Sequence, residues 1–305
     1  MNQNKKKNDN NTPYSLSDQQ GNGLPEQQML NHEFTRPSTK YFSMKLDKNP
    51  RHRDGYHVAS SSELASINKN IDSLIKAAKF YESILTKGYL LYVYKSSSQE
   101  IKTLKVKYAT ENFAHLTGLI FDRKSANEML KDICSERLQQ NAILVKNDGT
   151  TMDKLKIVFK LNEIENAKST ELEDFNSVKQ AKRLHFQKGI KSYNKELLLA
   201  LRYFNPKIAT PFSLINLKKS KLNYSDYSQV PNNKILAVLS ETKNEVSGLS
   251  IGTLSINQKY VKSAKQVVEI TQAMNQQLIK DYMLEKQEQP NHLTFNLNHK
   301  HSHHR

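Results

Sequence analysis

Two histidines, His115 and His185, fall inside the stretch of this 305-residue chain that carries sustained apolar periodicity. An imidazole with a pKa of about 6.5 both takes and gives a proton at neutral pH. His115 sits in NFAHLTGL. On a helix starting near Glu111, Phe113, Leu116 and Thr117 lie within about 100° of one another, and His115 falls on the opposite side. The ring is therefore expected outside the apolar stripe. It is either a plain surface histidine or a general acid or base.

The other chemistry-bearing residues are cations. The chain carries 46 Lys+Arg against 30 Asp+Glu, a net charge of +16, and such a balance attracts polyanions. Residues 179–221 hold eleven Lys and Arg against the single acid Glu196, so most of the excess is concentrated there. Tyr193, Tyr203 and Phe204 lie among these charges, and Tyr224 and Tyr227 follow directly after them. Rings beside cations stack on bases while the cations hold phosphate, which favours nucleic acid over a merely solvated basic face.

Much is excluded. Cys134 is the one cysteine, so neither a disulfide nor a multi-cysteine metal site can form, and the thiol is read as structural. No G-x-x-x-x-G-K-[ST], strand-linked G-x-G-x-x-G, H-E-x-x-H, G-x-S-x-G or C-x-x-C motif occurs, which removes the common nucleotide, hydrolase and zinc classes. A two-metal nuclease needs several carboxylates, and acids thin out where the basic charge peaks. Five histidines near the end (His292, His299, His301, His303 and His304) could bind metal only weakly, so neither a metal nor a cofactor is expected. The longest apolar runs, such as Leu197 to Leu201, are far shorter than the roughly 20 residues of a membrane helix. MNQNKKKNDNN has no apolar segment behind it, and the expected setting is the cytoplasm, with no membrane partner.

The elements that must position these groups follow from spacing. Residues 1–58 are polar and aperiodic and are expected to be a disordered leader. Ser60 and Glu63 have capping-box spacing before the stripe Leu64, Ile67, Ile71, Leu74, Ala78, Tyr81 and Leu85, and Gly88 ends it, which predicts a helix. YLLYVYK and LKVKYAT read as a hairpin around SSSQE. TENFAHLTGL reads as a short helix stopped by Gly118. Ser125 and Glu128 open another helix, and MDKLKIVFKLNEIENA reads as a third whose apolar residues fit two periods. KELLLALRYF, TPFSLINL, KILAVLSET and LSIGTLSI read as strands. The expected fold class is α+β, with helices packed on an antiparallel four- to five-stranded sheet and disordered tails. The expected order is the leader, a domain over 59–258, a helix over 259–286 and a His-rich tail over 287–305.

NFAHLTGL, IKSYNKELLLALRYFNPKIATPFSL and PNNKILAVLSETKN together resemble the phage-type nuclease-like domains of the barnase, EndoU, colicin and RelE superfamily, in its fourth phage group, over about residues 71–259. The resemblance implies an α+β domain with a sheet face as an RNA-binding cleft. It also implies metal-independent RNA cleavage and association with phages and conjugative elements. The implied partners are RNA, with DNA as an alternative, and a cognate inhibitor or mobile-element protein. A non-catalytic nucleic-acid-binding or accessory role in a mobile element is the competing reading, and a terminal helix docked to a protein is a third.

Metal-free RNA cleavage uses the substrate's own 2′-OH, so the protein must move two protons and neutralise a phosphorane. On that reading His115 is the acid/base, Lys191 and Arg202 hold the phosphate, and Thr210 or Ser213 donates hydrogen bonds. Lys182, Arg183, Lys188, Lys207, Lys218 and Lys219 would track the backbone, and Tyr193 would stack on a base.

Overall fold

The computed structural model describes residues 42, 50–139, 142–218, 227, 229–244, 248–262, 266, 269 and 276. By contact the chain divides into Met1–Ser38 and Thr39–Arg305, and every described residue belongs to the second unit. Most of the expected leader, Lys219, Tyr224 and the His-rich tail lie outside the described residues, as does most of the terminal helix. Gln266, Glu269 and Gln276 are helical, whereas residues 258–260 form a turn.

Local signals are realised closely at the start. Ser60 and Glu63 form their capping box, but Asn70 divides the expected helix into α1 (Ser61–Lys69) and α2 (Ile71–Ser83). The hairpin follows as β2 (Tyr89–Lys95) and β3 (Ile101–Lys107), paired from Tyr89↔Lys107 to Lys95↔Ile101. Helix α3 (Asn112–Thr117) ends at Gly118 in the left-handed conformation, φ 73°, where a side chain would be strained. Helix α4 (Ala126–Cys134) starts at the Ser125/Glu128 box. The two-period segment breaks into α5 (Thr150–Leu155) and a 3₁₀ stretch over Val158–Glu165. β1 (Tyr56–Val58), β5 (Ile143–Lys146) and β4 (Ile120–Phe121) make a small sheet. Phe42 is buried against Phe121, with ring centroids 5.5 Å apart.

The open sheet is overturned. β6 (Thr170–Glu173), β7 (Lys188–Lys191), β8 (Leu197–Asn205), β9 (Ile208–Asn216) and β10 (Asn232–Asn244) join β2 and β3 in the order β10-β2-β3-β9-β8-β7-β6. β6 pairs back onto β10, so the seven strands close into a barrel; β11 (Gly248–Ile256) extends β10 outside the ring. The β3–β9 pair is parallel, so the barrel is not purely antiparallel. Helix α6 (Lys179–Leu184) lies in the connection between β6 and β7. The fold is thus a closed barrel with an added small sheet and helices, not helices covering a four- to five-stranded sheet.

Alternation fixes what faces the lumen. Leu90, Tyr92 and Tyr94 of β2 join Leu104 and Val106, Ile190, Leu199 and Leu201, Leu214, Ile235 and Val238 in one buried core with α2 and the 3₁₀ stretch. Leu172, Leu198, Ala200 and Ile215, of opposite parity, pack outside the wall with Phe175, Val178, Ala181 and Phe186. The Lys188 ammonium donates to the Tyr94 hydroxyl at 3.3 Å although β6 and β10 separate their strands, a contact that can only cross the lumen.

Candidate active site and nucleic-acid interface

Helix α3 runs beside β9, and His115 projects from it into solvent, where the 3.6-residue spacing places it. Basic residues from four separate segments act electrostatically on the ring. Partial burial, followed by the charges of Lys154, Lys146, Arg53 and Arg202, pushes the imidazole below its ordinary value. Lys154, on α5, is buried, and its ammonium donates to the His115 carbonyl at 2.6 Å, tying the end of α3 to α5. Burial, then Lys146, pushes Lys154 down to about 7, with Asp148 opposing. Arg53 and Lys146 each lie 5.9 Å from the centre of the Tyr56 ring, which brings both cations to one aromatic side chain.

Arg202, on β8, stacks on Phe212 at 3.6 Å and donates to the His185 carbonyl (3.0 Å) and the Leu184 carbonyl (2.5 Å) at the end of α6. These bonds occupy part of its five-donor fork. Thr210 is its cross-strand neighbour on β9. The structure therefore brings His115, Arg202 and Thr210 into one neighbourhood. Ser213, paired with Ala200, is buried, and its hydroxyl reaches the Leu214 carbonyl at 3.4 Å.

The remaining expected cations go elsewhere. Lys191 pairs with Leu198, four residues before Arg202 on β8, or about 13 Å along the strand. In ring order β6 and β10 stand opposite β9, and Lys191 faces outward at the edge of that far wall, beside β6. It is 9% exposed, bonded to the Asn232 side chain, and lowered by burial and then by Lys195. Tyr193 lines the same cavity. Lys188 points into the lumen, where its ammonium meets Glu171 at 2.9 Å and also pairs with Glu173. Asn233 donates to Glu171 (2.7 Å) and Glu173 (2.9 Å). Lys218 is held by Glu196 at 2.5 Å. Lys182 and Arg183 sit exposed in the last turn of α6, and Lys207 in the β8–β9 turn.

Arg53, Lys146 and Lys154 escaped sequence reasoning because each belongs to a segment remote from the basic stretch. Only Lys154 carried a signal, as a cation within an apolar pattern. Among the described residues no three His, Cys, Asp or Glu side chains converge in a way that could hold an ion, and no helix is long and apolar enough to cross a membrane.

Residues 73–257 match the family model described as phage-Barnase-EndoU-ColicinE5/D-RelE like nuclease4. No curated protein and no solved structure matches the chain.

Proposed function

We propose that this chain, which belongs to the phage-Barnase-EndoU-ColicinE5/D-RelE like nuclease4 family, is a metal-independent ribonuclease acting through His115. Family membership supports a nucleic-acid substrate. The observation that carries the finer reading is the exposed imidazole on a helix end that Lys154 ties to α5, within electrostatic reach of Lys146, Arg53 and Arg202. Partial burial first, and those charges after it, disfavour the imidazolium, so the ring is a free base near neutrality.

The chemistry follows from that state. Neutral His115 takes the proton of the RNA 2′-OH as the oxygen attacks the adjacent phosphorus, and the imidazolium formed returns a proton to the leaving 5′-oxygen. Negative charge gathering on the phosphorane is met by Arg202, Arg53 and Lys146, whose attraction strengthens as that charge develops. Thr210, beside Arg202, offers a hydroxyl donor.

Total tRNA and mRNA incubated with the protein in EDTA should be cleaved to ends carrying cyclic phosphate. His115→Ala, verified as folded by its melting temperature, should lose activity by on the order of 10²-fold or more. Equal cleavage by that variant removes His115 from the site. The competing reading, a nucleic-acid binder without catalysis, is favoured by one observation: Lys191 and the lysines near it stand on the wall away from His115. Salt-sensitive RNA binding without any cleavage would be its signature.

A further inference from the structure

On the barrel wall away from β9, pairing aligns one outward position from each of four adjacent strands. Lys191 of β7 is opposite Thr170 of β6, Thr170 is opposite Lys234 of β10, and Lys234 is opposite Lys95 of β2. Their sequence neighbours Ile190, Glu171, Ile235 and Tyr94 are buried on the inner face, so these four face out. At about 4.8 Å per strand the row spans roughly 15 Å.

Three adjoining cavities open along it, of about 350, 510 and 310 Å³. The first is lined by Lys168, Lys191, Lys195 and Tyr193, the second by Lys168, Lys234, Lys259 and Tyr260, and the third by Lys95, Lys234 and Tyr260. Lys168 and Thr170 are common to the first two, and Lys234 and Tyr260 to the last two. Among the described residues no Asp or Glu lines any of them. Lys234 and Lys259 lie 5.0 and 5.7 Å from the centre of the Tyr260 ring, and Tyr193 is 43% exposed.

Six ammonium groups gathered with no carboxylate among the described lining residues repel one another, and an anion on the surface relieves that repulsion. A repeating anion fits a row better than a single phosphate does. The two tyrosines sharpen the choice, because they can stack only on bases that are not already stacked in a duplex. We propose that the outer wall of β7, β6, β10 and β2 is a binding track for a single nucleic-acid strand, long enough for on the order of four nucleotides and separate from the catalytic groups beside β9. The track stands on its own geometry and does not depend on cleavage at His115.

The test measures binding of a labelled (dT)12 strand, which lacks the 2′-OH, by fluorescence anisotropy over a salt series with the full chain. Lys95→Gln/Lys168→Gln/Lys234→Gln removes exposed charges without opening the core. It should weaken binding at least tenfold and reduce the slope of log K against log salt by about 2. Tyr193→Ala and Tyr260→Ala should each cost on the order of tenfold, and a 12-base-pair duplex should bind more weakly than the strand. Affinity within twofold of the parent in the lysine variant would overturn the track. So would tyrosine variants without effect combined with equal duplex binding, or tighter binding to anionic lipid vesicles. Loss of cleavage in His115→Ala with (dT)12 binding intact bears on the catalytic reading alone.

Discussion

The charge state of single groups decides what the site can do at a given pH. His115 is lowered by partial burial and four cations, so its free-base form persists to lower pH than an ordinary histidine's. The acid limb of the kcat/KM profile for RNA cleavage is therefore expected below pH 6.5, the unperturbed value. A limb at or above that value would mean that neither burial nor the cations lower the ring. Buried Lys154 and partly buried Glu165 shape stability instead. Glu165 is pushed up by burial to about 7 from 4.5, so the native state holds its proton more tightly and stability falls as pH rises between these values. Lys154 is pushed down to about 7 from 10.5, so the unfolded state binds the extra proton and stability rises from about pH 7 to 10.5. Together they place a minimum near neutrality. Glu165→Gln and Lys154→Met should each raise the melting temperature at pH 7, by on the order of 1 kcal/mol of stability. The first gain should vanish below pH 4.5 and the second above pH 10.5. Spacing alone showed that His115 is exposed, since a helix face is a local property. Its cationic neighbours come from α5, β5, β8 and the segment before β1, and no local pattern announces them.

Elements closed by local chemistry were legible, and those closed by the lumen were not. Both capping boxes and the Gly118 stop appear where the sequence puts them. β6 reads TELE and β7 reads KGIK, patterns that resemble solvated loops. Glu171, Glu173 and Lys188 instead line the inside of the barrel, where Glu171 is fully buried and Lys188 spans Glu171, Glu173 and Tyr94, while Lys191 faces out. Missing these two strands is what turned a barrel into an expected open sheet. Because the Glu171 carboxylate is already raised by burial against the pull of Lys188, removing that cation strands a buried acid. Lys188→Ala should cost about 3–5 kcal/mol in chemical denaturation, and adding Glu171→Gln should return part of the loss. A loss below about 1 kcal/mol would show that the network does not hold the wall together. At the entrance to β2, a Cβ on Gly88 would lie 1.9 Å from the Glu241 carbonyl oxygen, so this close approach admits no side chain.

Closure of the ring divides the molecule's chemistry between two walls. Apolar residues of α2, β2, β8 and β9 do enter one buried core, but that core fills a closed ring instead of lying between helices and an open sheet. The single cationic groove expected from residues 179–221 does not assemble as one surface: Lys188 turns inward, Lys218 is held by Glu196, and Lys191 joins lysines from β2, β10 and the loop before β6. Linear charge density could not foretell this, because alternation along a strand sends neighbouring residues to opposite faces and ring closure carries them around the barrel. On this account one wall carries the acid/base histidine and its cations, and the other grips the strand. The most direct measurement uses an RNA oligonucleotide cleaved at one position, and its counterpart with a single 2′-deoxy substitution at that position, both in EDTA. The account predicts that the substitution abolishes cleavage there while binding is retained, whereas cleavage of the deoxy-substituted site at an undiminished rate would contradict it.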